Sequence, residues 1–383
     1  MASQVQQTQD PYALNAQARA IVLANAVDRV QQISSSTYNA ANQSVINIAP
    51  RNVGLIKGFF VDVIASVTNA ATNGATLTKL GPANILSQIV FTDLQNNTRI
   101  QTTGWHMHLL NTAKANKPFG LCQQLISPPI AYGSNFGEIS APATLAASAS
   151  GTVTMRYYIP LSYSNNDLRG ALYAGVVNAT MNLQLTVNAA GAFVAAGSDA
   201  TQAVFSGNTG TVGNVTINVY QHYLDQLPMT KNGPVLPMMD LSTFYDIKNT
   251  SVNGLTVTQD YPIPYANYRS FLSTYFIYDN GGTLNNGSDI NYVALQSANY
   301  TQIFKMSPIE LALMSNIKFG IDFPSGVYYV DHRNRPINTN QYGNMELIIN
   351  PSTVNANAQV LVGYEAFGQL AMMTQAGSLP AAG

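Results

Sequence analysis

The chain has 383 residues, enough for two cores of ordinary domain size or one large one, and 46% of them are hydrophobic. Only 9% are charged, against about 25% in a typical soluble domain. The net charge of −1 gives no basic field for nucleic acid, and a single cysteine excludes an intrachain disulfide framework.

Asn, Gln, Ser and Thr fill the surface that ions leave, and weakly charged surfaces near neutrality associate. The composition predicts a chain that ends up largely surrounded by protein. The opening "MASQVQQTQD" lacks the basic and apolar regions of a secretory signal. No apolar run reaches the ~18 residues of a membrane span, so a soluble protein made inside the cell is expected.

The first predicted element is a helix through "DPYALNAQARAIVLANAVDRVQQI", with Asp10 as N-cap and Pro11 at its first turn. Leu14, Ala18, Ile21 and Val22 share an apolar face, while Asn15, Arg19 and Asp28 point elsewhere. This arm has three readings: packing on its own domain, docking on a neighbour, or lying on a lipid surface.

From residue 44 the texture becomes that of strands. "SVINIA", "LIKGFFVDVIASVT", "NILSQIVFTDL", "GTVTMRYYIPL", "TMNLQLTV" and "NVTINVYQHYL" are β-branched or aromatic runs separated by polar turns. Met181, Leu183, Leu185 and Val187 alternate onto one side. The stretch 225–240, "DQLPMTKNGPVLPMMD", carries three prolines and reads as a connector rather than a central strand. Strand texture then resumes in "YRSFLSTYFIYD", "DINYVALQ", "GVYYVD", "NMELIIN" and "AQVLVGYEAF". Each half holds one helix after a strand-turn-strand passage: "GWHMHLLNTAK" first, then "SPIELALMSNIKF", with Ser307 as cap, Pro308 at the first turn and Glu310 at the third helical position. The same plan occurs twice, which predicts a duplicated β-sandwich.

"TTGWHMHLLNTAK" (102–114) is the one stretch that invites a catalytic reading, with the only tryptophan and two of the four histidines. His106 and His108 stand two apart and share a face only on a strand. Cys122, His222 or a distant carboxylate would have to complete a zinc site. Cys122 has no local base, and no G-x-S-x-G elbow occurs. Asp322, Asp331, Glu346 and Glu365 are available for paired-carboxylate chemistry, but spacing alone brings no two together. Packing of a short helix against a sheet is the expected role. No catalytic residue, metal or cofactor is assigned.

Several blocks resemble a known family: "GPANILSQIVFTDLQNN" running into "TTGWHMHLLNTAK", then "YLDQLP", "DLSTFYDIKN", "DINYVALQSANY", "FPSGVYYVDHRNRPI" and "YGNMELIINPSTVNANAQVLVGYEAF". They are similar, in order across residues 40–367, to the major capsid protein of tectiviruses, tailless bacteriophages with a membrane inside the shell. The resemblance implies an all-β double jelly roll of two eight-stranded sandwiches, an N-terminal helix and short helices flanking each barrel. The expected division is a helical arm at 1–43, a first jelly roll at 44–224, the connector at 225–240, a second jelly roll at 241–370 and a tail at 371–383.

By the same resemblance, homotrimers of pseudo-hexagonal outline tile an icosahedral virion shell around a membrane enclosing the viral DNA. Minor capsid and vertex proteins are further partners, and no sequence-specific nucleic-acid contact is implied. Leu14, Ala18, Arg19, Ile21, Val22 and Arg29 become the candidate contacts to membrane or neighbour, and the protein would be made in the host bacterial cytoplasm. A carbohydrate-binding or glycan-hydrolysing β-sandwich is the alternative.

Overall fold

The computed structural model describes residues 11–115, 141–175, 180–198, 202–207, 209–231, 233–234, 243–284, 287–297, 302–319, 326–339 and 344–369. Cys122, Asp322 and the expected tail at 371–383 lie outside them, as does the connector beyond Pro234. Within the connector, Met229–Thr230 pairs with Gly233–Pro234 as a small ladder.

Helix α1 spans Pro11–Asn25 and stops there. The Ala26 amide closes the last turn on Val22 O at 2.9 Å, and Asn25 Nδ2 donates to Ile21 O at 2.8 Å. Residues Val27–Asn39 then form strand β1. This corrects the expected helix through Ile33 and the reading of 1–43 as a helical arm. The run "VQQISSSTY" is rich in β-branched and hydroxyl side chains, which lose rotamer freedom or compete for backbone groups in a helix. Strand β8 (Gly210–Asp225) offers it an antiparallel ladder from Val27↔Asp225 to Asn39↔Asn214. The tertiary ladder wins over the apolar periodicity, and the first sandwich therefore begins at Val27 rather than at residue 44.

Between β1 and β8 lie β2 (Val45–Ile48), β3 (Leu55–Asn69), β4 (Leu86–Thr92), β5 (Thr98–Thr102), β6 (Ser150–Pro160) and β7 (Asn182–Val187). They form two antiparallel four-strand sheets, β1-β8-β3-β6 and β2-β7-β4-β5. The second sandwich contains β9 (Thr243–Asn253), β10 (Tyr261–Pro264), β11 (Arg269–Asp279), β12 (Ile290–Ser297), β13 (Gln302–Met306), β14 (Val327–Asp331), β15 (Met345–Pro351) and β16 (Gln359–Gln369). Its sheets run β9-β16-β11-β14 and β10-β15-β12-β13. Adding eight to every label of the first sandwich reproduces the second. Each half has the jelly-roll order of two Greek keys, and the chain is an all-β double jelly roll.

Helices α2 (Gly104–Ala115) and α3 (Pro308–Phe319) each follow the fifth strand of their sandwich. The halves are joined edge to edge: β5 pairs in parallel with β9, with Ile100 opposite Ile247 and Gln101 opposite Lys248. The β2-β7-β4-β5 sheet thus continues into β9-β16-β11-β14.

Alternation along the strands sorts the cores. On β7, Leu183, Leu185 and Val187 are buried, as their spacing predicts. On β3, Phe59, Val61, Val63, Ala65 and Val67 point into the first core, which leaves Phe60, Asp62 and Ile64 on the outer face. On β16, Val360, Val362 and Ala366 belong to the second core, while Leu361 and Phe367 belong to the first. The β9-β16-β11-β14 sheet is therefore covered on both faces. That is why "FLSTYFIYD" on β11 reads as a continuous apolar run instead of an alternating one.

Candidate functional site

The stretch 102–114 lies where the two sandwiches meet. Thr98–Thr102 makes the edge strand that meets β9, and the chain turns at Gly104 into α2. A Cβ on Gly104 would fall 2.1 Å from Ala83 O and 2.7 Å from Leu86 O, so only glycine lets the helix start this close to the sheet. Trp105, Met107, Leu109, Leu110 and Ala113 are then all buried in one core with Tyr245, Ile247, Tyr275, Ile277 and Phe367 of the second sandwich. Each large aliphatic side chain among them, Met107, Leu109 and Leu110, contributes roughly 1.5–3 kcal/mol of burial. The helix is the wedge of the junction.

Its polar groups follow the same logic. His106 accepts or donates at Nδ1 with Thr102 Oγ1 at 2.5 Å and lies 5.4 Å from the Tyr275 ring. Opposite it stands Gly363, where an added Cβ would lie 2.4 Å from the imidazole. Burial pushes His106 down to about 3 and His108 to about 4, so both are neutral at pH 7. His106 Nε2 and His108 Nδ1 have no hydrogen-bond partner among the described residues.

At the far end of α2, Lys114 Nζ meets the Glu365 carboxylate at 3.3 Å and donates to Tyr163 O at 2.7 Å. Glu365 also accepts from Ser273 Oγ at 2.7 Å and from the Tyr245 hydroxyl. Burial raises the Glu365 carboxyl, but the Lys114 ammonium and the two hydroxyls outweigh it and hold it below the usual range. For Lys114, burial pushes downward and Glu365 pulls back up. A buried carboxylate kept ionised is a fixed acceptor that ties β16, β9 and β11 to α2. It is no general acid, which would need a raised pKa.

Of the candidate carboxylates, Asp331 and Glu365 stand opposite the same residue, Ser273, on either side of β11. Asp331 is held by Arg333 at 3.0 Å and by Lys318, and Glu346 sits on β15 opposite Pro264. Among the described residues no three His, Cys, Asp or Glu side chains gather as a metal site. His222 pairs with Asp28 at 2.7 Å, far from α2 in role, tying β8 to β1.

The six arm residues separate. Ala18 and Val22 are buried in a cluster with Leu55, Leu168, Ala171 and Leu224, and Ile21 packs partly against it. These two are used inside the chain and are not available to lipid or neighbour, which corrects that expectation for them. Arg29 lies on β1, not on a helix, and pairs with Asp225 at 2.9 Å. Arg19 is half-buried. Leu14 lies within α1, and its side chain falls outside the described residues.

One surface was not singled out by sequence reasoning. Helix α3 starts with the predicted capping box: the Ser307 amide donates to Glu310 Oε2 at 2.7 Å, and the Glu310 amide donates to Ser307 Oγ at 3.3 Å. Yet Ile309 is 71% exposed, Leu313 58%, Met314 53% and Ile317 76%. The signal was present in "PIELALMSNIKF", which is apolar around most of its circumference and so calls for burial. A groove of about 460 Å³ runs beside it, lined by Ile303, Phe304, Leu311, Met314 and Ile337 among others.

Comparison with known proteins bears on what these surfaces serve. The family described as P3 major capsid protein N-terminal matches residues 2–227, and P3 major capsid protein C-terminal matches residues 242–381. The chain is 42% identical over 376 residues to the major capsid protein P3 of Enterobacteria phage PRD1, spanning 97% of this chain and 95% of that protein. Among solved structures, the MCP of Sulfolobus Turreted Icosahedral Virus aligns with a TM-score of 0.65 at 15% identity, over 92% of this chain and all of that one. A chain of the PBCV-1 capsid aligns with a TM-score of 0.55 at 10% identity, over 89% and 94%. Both likenesses are of fold, the double jelly roll of viral capsid proteins.

Proposed function

Since the chain belongs to the P3 major capsid protein family, we propose that it builds its shell as homotrimers, three double sandwiches giving a capsomer of pseudo-hexagonal outline. It is a structural protein of the virion, not an enzyme, and its place is the capsid shell. The alternative of a carbohydrate-binding or hydrolysing sandwich finds no support.

The observation that carries the trimer is the strand-for-strand duplication: two similar units per chain make six per trimer. Native mass spectrometry of the purified chain tests it. A species of three chain masses is expected, and a stable monomer of 41.1 kDa as the sole species would defeat it. Electron microscopy of assembled material should show closed icosahedral shells.

The shell is proposed to enclose an internal membrane and the viral DNA, with minor and vertex proteins as neighbours and synthesis in the host bacterial cytoplasm. The N-terminal arm is the proposed contact to that membrane or to a neighbouring subunit. With Ala18 and Val22 packed inside the chain, the contact narrows to Leu14, Arg19, Ile21 and the exposed Arg29. Leu14→Ser with Arg19→Glu, which leaves the buried Ala18 and Val22 in place, should keep the trimer folded while reducing co-flotation with anionic lipid vesicles. Unchanged flotation would remove the arm from that role.

A further inference from the structure

Asparagine is followed by glycine five times in the chain, at 73, 232, 253, 280 and 286. Glycine in that place lets the main-chain nitrogen reach the preceding carboxamide, because no Cβ stands in the way. How firmly the fold holds a pair then decides whether it reacts. The pairs at 73, 253 and 280 lie wholly among the described residues, and the fold treats them differently.

Asn280 is locked. It is 1% exposed, its Nδ2 donates to Asp289 Oδ2 at 3.1 Å, and its Oδ1 accepts from the Asn355 amide at 2.6 Å. Its main-chain carbonyl accepts from Asn355 Nδ2 at 3.2 Å, which fixes the peptide plane leading to Gly281. Asn73 is exposed, yet its carbonyl accepts from Asn69 Nδ2 at 2.8 Å, and this holds the plane that carries the Gly74 nitrogen.

Asn253, the last residue of β9, is held by the ladder on one side only. It and Gly254 are both exposed, and the Asn253 carboxamide makes no hydrogen bond among the described residues. The Gly254 amide donates to no backbone carbonyl there either. Gly254 has a φ of +71°, and a Cβ on it would meet nothing within 4 Å, so the turn has room to swing. Both residues line a cleft of about 500 Å³ with Leu255, Asn355, Asn357 and Gln359, which admits water.

We infer that Asn253-Gly254 is a self-modifying site, at which the asparagine converts to aspartate and isoaspartate without an enzyme. The Gly254 nitrogen bonds to Asn253 Cγ, the bond from Cγ to Nδ2 breaks, and ammonia leaves with the proton of the Gly254 amide. Water then opens the cyclic imide at either carbonyl. Asparagine and water give a carboxylate and ammonia, with nothing oxidised or reduced. A chain whose net charge is −1 doubles that charge by one such event.

The site lies far from α1. Phe244, near the start of β9, bridges to Gly170, whose neighbours Leu168 and Ala171 pack in the cluster under α1. The extended chain from Phe244 to Asn253 spans about 30 Å. On the proposed reading of the arm as a membrane contact, the turn faces away from the membrane. That placement rests on the reading of the arm, and the chemistry does not.

The test ages the purified full-length chain at pH 8.5 and at pH 6, and follows it by isoelectric focusing and by peptide mapping with mass spectrometry. A more acidic species should accumulate, faster at pH 8.5 because the attacking nitrogen must lose its proton, and it should co-migrate with the Asn253→Asp variant. The peptide containing position 253 should gain about 1 Da and elute as two isomers. Conversion at Asn280 should trail by more than about tenfold, since that residue must wait for local opening. In urea, where the restraints are gone, the three sites should react at similar rates.

An Asn253 that stays intact in the folded chain while converting in urea would overturn the assignment, because the ladder to Gln359 would then protect it. Conversion of Asn73 or Asn280 ahead of Asn253 in the folded chain would overturn it as well. Neither result bears on the self-association proposed above, which native mass spectrometry reads separately.

Discussion

At the scale of single residues, the junction depends on groups whose neighbours leave them no alternative. Gly363 faces the His106 ring at a separation that admits no side chain, so Gly363→Ala should displace α2 and destabilise the fold by about 1–3 kcal/mol, as overpacking does. Urea denaturation checks this, and an unchanged midpoint would show that the helix gives way freely.

Glu365 and Lys114 form a buried pair whose parts are costly alone. Glu365→Gln leaves the ammonium without its counter-charge and should cost about 3–5 kcal/mol. Adding Lys114→Met to Glu365→Gln removes the stranded charge and should recover at least about 1 kcal/mol, the signature of direct coupling in a double-mutant cycle. Additive losses would mean that the hydroxyls of Tyr245 and Ser273, and not Lys114, hold the carboxylate.

At the scale of elements, what sequence revealed depended on how local the cause was. The capping box of α3 is a four-residue pattern, and the structure forms it as read. Ser307→Ala should therefore cost about 1 kcal/mol, visible as a lowered thermal midpoint, and an unaltered midpoint would show the first turn frayed in solution. Strand β7 was legible because one face is core and the other is not.

Strand β1 was not legible. Its apolar spacing continues that of α1, and only the ladder to β8, almost two hundred residues away in sequence, decides its conformation. The edge strands β5, β9, β10 and β13 were missed for a related reason, since short or half-polar segments acquire their form from a neighbour. Helices α2 and α3 are both rich in apolar residues, yet one is sealed and the other open. Composition showed that each calls for burial but not which partner supplies it.

At the scale of the whole molecule, duplication was readable as a repeated texture, while the direction in which the two sandwiches join was not. The joining places neutral histidines at the mechanical centre, and this makes the whole fold sensitive to acid. Burial lowers His106 to about 3, His108 to about 4 and His332 to about 4, from an unfolded value near 6.5. A lowered histidine pKa means that the folded chain binds fewer protons than the unfolded one. The stabilisation is then complete above pH 6.5 and is lost as pH falls toward 4, by up to about 1.4 kcal/mol per pH unit for each histidine. Below about 4.5 the ionised Glu365 adds a loss of the same sign. Asp246, raised by burial, works in the opposite direction as one group against these. Thermal melts between pH 7.5 and 4.5 should show a midpoint that is flat above pH 6.5 and falls progressively below it. His108→Gln, whatever it costs at neutral pH, should make that fall shallower, because one of the four histidines whose pKa burial lowers is gone. A slope unchanged by the substitution would mean that His108 takes up its proton while the chain is still folded, and the acid response would then have to arise elsewhere.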